Sequence, residues 1–293
     1  MINVAEYFPQ WKEDILHGQP PKLFSCGDSE WAPLEHGPGL MTLIGGAPGS
    51  GKTALITQAV VDGLRMNADL RVFVANCEMT LGVLLERQLS RISGVSLNCV
   101  RFRRLDANYA PLSLALDELG RIAPRLAFHD GLMTLKAVAE SADAHRADWI
   151  VIDYIQRFRR DGTGDKEQRA EIDSMMETLR GFCLKGRAVT VVSAVSRQRG
   201  KGGSSYSGIN LASFKGSGEL EFAVDSAWTL ERHENNPELI AFECVKNRHG
   251  STPTLTLRFD GARQAFSVDP EQRAGTVMRP FGTVMEGDDD EPF

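Results

Sequence analysis

"LMTLIGGAPGSGKTA", residues 40–54, decides the fold. An apolar run from Leu40 to Ile44 leads into Gly46-x-x-x-x-Gly51-Lys52-Thr53, and helix-forming residues follow at once, so the stretch predicts a strand, a glycine-rich loop and the first turn of a helix. In such a loop successive backbone N–H groups turn inward around phosphate oxygens, and the helix N-terminus adds its partial positive charge. Lys52 then reaches the β- and γ-phosphates, and the Thr53 hydroxyl binds Mg²⁺. Gly46, Ala47, Pro48, Gly49, Ser50, Gly51, Lys52, Thr53 and Ala54 are therefore the candidate ATP contacts. The loop specifies a nucleoside triphosphate and little else.

Outward from this loop, short β-like runs alternate with longer helical ones. "RVFVAN" (71–76), "RLAFHD" (125–130), "DWIVID" (148–153) and "AVTVVSA" (188–194) join the first strand. Thr53 to Met66, Leu81 to Ile92, Thr134 to Arg146 and Gln168 to Lys185 have the apolar spacing of helices. Apolar strands alternating with helices imply an α/β fold, a mostly parallel sheet flanked by helices on both faces. After Phe222 the texture changes to ribbons, "SAWTLER", "LIAFECVK", "PTLTLRF" and "QAFSVD", with turns at Asn235-Asn236-Pro237, His249-Gly250 and Asp260-Gly261. This predicts a C-terminal antiparallel β extension. Three parts result: an N-terminal helix and connector over 1–38, one large domain over 39–271, and a disordered acidic tail over 272–293.

The 293 residues, 42% hydrophobic and 25% charged, suffice for a domain with a substantial core. No apolar run spans a bilayer and no secretory signal opens the chain, so no membrane partner and a cytoplasmic location are expected. Cys26, Cys77, Cys99, Cys183 and Cys244 are odd in number and scattered, which predicts free thiols rather than a metal cluster. Of the net charge of −6, Glu286, Asp288, Asp289, Asp290 and Glu291 supply five units, so the body is nearly neutral and its basic clusters carry weight.

Two acids complete the phosphate site. Asp153 ends the apolar run "WIVID", where this kind of fold places the carboxylate that holds Mg²⁺; a helix cap is the alternative. Glu78 follows the neighbouring strand and is placed to orient the water that attacks the γ-phosphate, although position alone leaves that role open.

In order and spacing, "NCEMT" (76–80), "FHDGLMTL" (128–135), "IVIDYIQ" (150–156) and "SGELE" (217–221) resemble the motor domain of the DnaB-type replicative hexameric helicases, which are RecA-like P-loop ATPases. The resemblance runs from about Gly39 to Val268. It implies ATP and Mg²⁺ as cofactors, single-stranded DNA and further copies of the chain as partners, and a ring, expected to be a hexamer, that translocates on DNA. It makes Glu78 the catalytic base and Asp153 the metal-binding acid. "VKNRHG" resembles the family's basic ribbon, so Lys246 and Arg248 would reach the γ-phosphate held by the adjacent subunit, the alternative being two solvated charges at a hairpin end.

The chain departs from the family twice. Arg197 stands where the family usually has a phosphate-sensing glutamine, and a cation responds differently from an amide to loss of the phosphate. Fewer than 40 residues precede the motor, in place of the family's N-terminal domain. The amphipathic stripe Val4, Phe8, Trp11 and Ile15 either docks on the next subunit or packs on its own domain.

Loops after the fourth and fifth strands, 157–169 and 197–218, would face the ring's centre by the same resemblance. The second is long and rich in Gly, Ser, Lys and Arg, so Arg199, Lys201 and Lys215 are candidates to hold phosphates of a single strand, with Tyr206 and Phe214 as stacking platforms. "RFRRL" (101–105) is expected to be a surface face.

"EGDDDEPF" (286–293) resembles the acidic tip of bacterial single-stranded DNA-binding proteins. The resemblance implies that Asp288, Asp289 and Asp290 steer toward a protein partner while Pro292 and Phe293 dock in its pocket. Competition with nucleic acid for the chain's own basic loops, or plain solubility, remain open. The expected function is thus an ATP-dependent motor on single-stranded DNA. An ATP-dependent oligomerising switch or loader on DNA, without unwinding, is the alternative, and a non-enzymatic adaptor is a third.

Overall fold

The computed structural model describes residues 3–105, 108–131, 133–153, 155, 165–195, 198–200, 203–205, 214, 222–233 and 236–270. Its centre is a nine-stranded sheet, and what each strand buries follows from its sequence texture. β1 (Met41–Gly46), β2 (Val72–Asn76) and β4 (Trp149–Asp153) are buried at every position. Such runs have apolar cover on both faces, as the absence of polar alternation requires. β9 (Asn236–Asn247) instead alternates buried Ile240, Phe242 and Cys244 with exposed Ala241 and Glu243, the pattern of a sheet with one wet face.

With β3 (Leu126–Phe128), β5 (Ala188–Ala194), β8 (Ser226–His233), β10 (Thr254–Asp260) and β11 (Ala265–Val268), the order across the sheet is β11-β10-β9-β8-β1-β5-β4-β2-β3. β3, β2, β4, β5, β1 and β8 are mutually parallel. β9, β10 and β11 continue as antiparallel ribbons. This is the mostly parallel sheet with an antiparallel extension that the sequence predicts, except that "SAWTLER", expected among the ribbons, is β8 and pairs parallel with β1. β6 (Gln198–Gly200) and β7 (Gly203–Ser205) form a separate hairpin inside the long basic loop.

Helices cover both faces. α2 (Lys52–Met66) buries twelve residues and anchors one core with Leu55, Leu64, Trp149 and Trp228. α7 (Asp165–Leu184) contributes Met175, Met176, Leu179 and Phe182 to the other, with Leu43, Ile150 and Val191. α3 (Leu81–Ser93) stops where Gly94 takes φ 70°, a left-handed C-cap that glycine adopts without strain. α6 (Leu135–Ala144) starts on Thr134, whose hydroxyl accepts from the Ala137 N–H.

α4 (Leu97–Arg101) and α5 (Tyr109–Ile122) have no counterpart in the sequence expectations. α5 buries only Leu112, Ala115 and Ile122 and exposes Leu114 and Leu116, so its apolar stripe is blurred. Arg101 to Arg104 are exposed, as expected for a surface face.

The segment before β1 also enters the core. Phe24, Cys26, Leu34 and His36 are buried, and the His36 ring lies 4.4 Å from that of Trp149. Thr190 Oγ1 sits between them, accepting from Trp149 Nε1 at 2.9 Å and 3.2 Å from His36 Nδ1. Burial pushes the His36 pKa down to about 3, so this imidazole is neutral. α1 (Val4–His17), by contrast, buries nothing: Val4, Phe8, Trp11 and Ile15 all remain exposed, so the stripe does not pack on its own domain. All five cysteines are free thiols. Among the described residues no helix is long and apolar enough to cross a membrane.

Candidate ATP site

The phosphate loop is built between β1 and α2. Gly49 and Gly51 take φ of 77° and 102°, a region open to glycine. A Cβ at Gly46 would lie 2.6 Å from Ser50 Oγ and 2.9 Å from the Leu230 carbonyl oxygen, so the strand can turn here only without a side chain. Lys52 Nζ donates to the carbonyls of Gly46 and Ala47, at 2.8 and 2.9 Å, which lays the ammonium across the loop. Burial lowers the Lys52 pKa, with Asp153 and Glu78 acting against that.

Asp153 and Asn76 end adjacent parallel strands in register. Asn76 Nδ2 donates to Asp153 Oδ2 at 2.6 Å, and its Oδ1 accepts from the N–H groups of Glu78 and Met79, at 3.0 and 2.9 Å. One amide therefore fixes both acids relative to each other. The Thr53 side chain favours the ionised form of Asp153. Burial raises the Asp153 pKa to about 6, helped by Glu78, while Thr53, Lys52 and Asn76 only partly offset it. A carboxylate so incompletely compensated, in the same cleft as the Thr53 hydroxyl, suits a divalent cation held by Thr53 and Asp153. When bound, Mg²⁺ would neutralise charge on the phosphates.

A cleft of about 470 Å³ opens over these groups, lined by the loop, Glu78, Met79, Arg87, Asp153, Ala194, Arg232, Phe259 and Gln264. The loop, the base candidate and the metal acid are thus brought together as the sequence predicts. Across residues 36–268 the chain matches the DnaB-like helicase C terminal domain. The chain belongs to that family.

The DnaB-like family is one of ATPases and helicases, which sets the enzyme class. No curated protein matches the chain. Among solved structures it is similar to an isolated ATPase domain, with TM-score 0.74, 18% identity, and coverage of 90% of this chain and 98% of that one. It is also similar to a DnaB-like replicative helicase solved for its interactions with primase, with TM-score 0.73, 17% identity, and coverage of 91% of this chain and 66% of that one. At these identities the likeness concerns the RecA-like fold.

In this DnaB-like domain Lys246 and Arg248 lie away from the cleft, at the end of the strands where β1 begins. Arg248 Nη1 donates to Asp225 Oδ1 at 3.3 Å, Arg248 Nη2 donates to the Phe222 carbonyl, and Lys246 Nζ reaches that carbonyl at 3.4 Å. Arg199 falls in β6. Arg197, Lys201, Tyr206, Lys215 and the acidic segment with Asp288, Asp289, Asp290, Pro292 and Phe293 lie outside the described residues. Phe214 corrects one expectation: it is buried, and a Cβ on Gly45 would stand 2.3 Å from its ring, so it is a core residue rather than a stacking platform.

Sequence reasoning missed three cleft residues, Arg87, Arg232 and Gln264, and the amide of Asn76 that holds the two acids. Asn76 opens the "NCEMT" stretch, yet only the pairing of β2 with β4 shows its role. Arg232 donates to the Gly49 carbonyl at 3.2 Å and stands over the Phe259 ring at 5.4 Å, which ties the ribbons to the phosphate loop. Gln264, at φ 56°, lines the same wall. Arg87, on α3, is half-buried, its Nε has no hydrogen-bond partner among the described residues, and burial lowers its pKa. A cation with an unpartnered N–H beside a phosphate site is a usable phosphate contact.

Proposed function

We propose that this chain is the ATP-driven motor of a ring, expected to be a hexamer, that moves along single-stranded DNA and hydrolyses ATP between subunits. The observation that carries the reading is the placement of cations at opposite ends of one central strand. Lys52 serves the loop at the end of β1, whereas Arg248 sits beside the start of β1, with its N–H donating to the Asp225 carbonyl at 2.8 Å. Five residue steps separate Met41 from Gly46, about 17 Å of strand, too far for Arg248 to serve the phosphate of its own chain. A cation so placed supports service to a neighbouring copy.

In the assembled site Lys52 and the loop N–H groups would bind the phosphates, while Thr53 and Asp153 hold Mg²⁺. Glu78 is the base that orients the attacking water, with Lys246 and Arg248 of the next subunit meeting the charge that develops on the γ-phosphate. The exposed face of α1 supports docking on that neighbour. Arg199, Lys201 and Lys215 are proposed DNA contacts and Arg197 the phosphate sensor. The acidic segment is proposed to dock a protein partner. Removal of Pro292 and Phe293 then abolishes partner capture and spares ATP turnover; capture that survives the truncation overturns the docking role.

The test is ATP hydrolysis measured against protein concentration, with and without single-stranded DNA, while light scattering follows mass. Turnover that rises with both assembly and DNA is the expected result, and strand displacement then separates a motor from a loader. Flat turnover by a monomer indifferent to DNA overturns the reading.

A further inference from the structure

Asp225 immediately precedes β8, is almost wholly buried, and is shared by three elements. Its Oδ2 accepts from the Met41 N–H at 2.9 Å, at the start of β1, and from Arg180 Nη1 on α7 at 2.6 Å. Its Oδ1 accepts from Arg248 at 3.3 Å. Backbone bonds close the same knot: Asp225 N–H to the Met41 carbonyl and Arg248 N–H to the Asp225 carbonyl, each 2.8 Å. Three residues upstream, the Phe222 carbonyl accepts from both Arg248 and Lys246.

We propose that Asp225, with the Phe222 carbonyl, is the seat that positions Arg248 for the phosphate of the neighbouring subunit. The inference rests on the in-trans reading of Arg248 given above. A free arginine side chain loses rotamer freedom when it engages a phosphate, and a seat that selects one direction beforehand removes much of that loss. The two arginines hold the carboxylate unequally. Arg180 is the short contact, so the buried charge keeps a counterion when Arg248 turns part of its fork to phosphate. Arg248 is the long contact and stays 43% exposed, within reach of a partner. A seat that gripped both tightly would compete with the phosphate, and one without Arg180 would leave a buried anion unpaired each time Arg248 engaged. Asp225 touches no reacting atom, so it is a positioning residue.

Mixed assemblies test this. A Glu78→Gln chain keeps its Arg248 but lacks the base, and an Arg248→Ala chain keeps the base but lacks the cation. Each alone is inactive, and mixing restores turnover where the first presents its arginine to the second. Adding Asp225→Asn to the Glu78→Gln chain is expected to cut the restored turnover by about tenfold or more, the scale of a misplaced group, with nucleotide affinity unchanged. Adding it to the Arg248→Ala chain, which has no arginine to seat, leaves the restored turnover in place. An equal loss in both arrangements, or none in either, overturns the seat. Asp225→Glu, which keeps the charge, gives the same asymmetry if the asparagine variant does not fold. If the unmodified pair fails to complement, the in-trans reading of Arg248 is what has failed, and the seat falls with it.

Discussion

Asp153 and Asp225 are both buried aspartates at opposite edges of the parallel strands, and their surroundings drive their acidities apart. Asp153 has an amide, a hydroxyl and a partly desolvated lysine for company, and burial prevails, raising its pKa to about 6. Asp225 is also penalised by burial, but the hydrogen bonds from Arg180 and the Met41 N–H, together with the Arg248 charge, prevail and lower its pKa. The difference separates two uses of one side chain. A carboxylate left short of positive charge is prepared for a cation that comes and goes, and one given two arginines is a fixture.

The largest effect that sharpens this contrast is on rate. Arg248→Ala is expected to lower assembled ATP turnover by about 10³-fold or more, leaving the nucleotide dissociation constant of each chain unchanged, because the arginine acts on the neighbour's phosphate. Turnover and affinity falling together place Arg248 in its own chain's site instead. Glu78→Gln loses about 10²- to 10⁴-fold with ATP still bound, as removal of a general base should, and normal turnover in that variant removes Glu78 from the chemistry.

Stability gives the next effect, and it has opposite signs at the two aspartates. The raised pKa of Asp153 means that folding favours its protonated form: that contribution is present below 3.8, the unfolded value, and lost as pH rises through about 6. At pH 7.5 without metal, Asp153→Asn is therefore expected to stabilise the fold by up to about 3 kcal/mol, while removing Mg²⁺-dependent turnover. Asp225→Asn is expected to destabilise it by about 1 to 2 kcal/mol, as loss of charge from a hydrogen-bonded, partly exposed ion-pair cluster does. Denaturant melts of the two variants that shift in the same direction break the contrast.

The smallest effect is the pH dependence of those differences. The gain from Asp153→Asn shrinks as pH falls from 7 toward 4, since the wild-type carboxyl takes up its proton over that range. The lowered pKa of Asp225 places its contribution above its unfolded value, so the loss from Asp225→Asn persists through the same range and fades only below about pH 4. Melts repeated at four or five pH values separate the two profiles; parallel curves would falsify the assignment of opposite shifts.

What could be read from sequence follows from how far apart the interacting residues are. The phosphate loop is contiguous, and Glu78 and Asp153 end conspicuous apolar runs, so their spacing announces them. β1, β2, β4 and β5 are equally plain because each is a short run buried at nearly every position, whereas β8 reads as one of the ribbons and only its pairing with β1 places it in the parallel part. Asn76 and Arg232 act through partners far along the chain, Asp153 and Gly49, and only strand order brings these together. Asp225 is an undistinguished acid before a strand; nothing local to "AVDSAW" shows that Met41, Arg180 and Arg248 converge on it. α5 escaped notice for a different reason, since Leu114 and Leu116 face outward and obscure the three positions that are buried.

β1 carries the phosphate loop at one end and meets Asp225 at the other. It is six residues long, buried on both faces and bonded to β5 and β8 along its length. A strand so confined cannot stretch or bend appreciably, so under the proposed in-trans arrangement it would act as a ruler that sets the span between where a subunit receives help and where it gives it. In a ring of such subunits, opening or closing one ATP site must then be taken up by whole domains rolling against each other, because the span through each domain is constant.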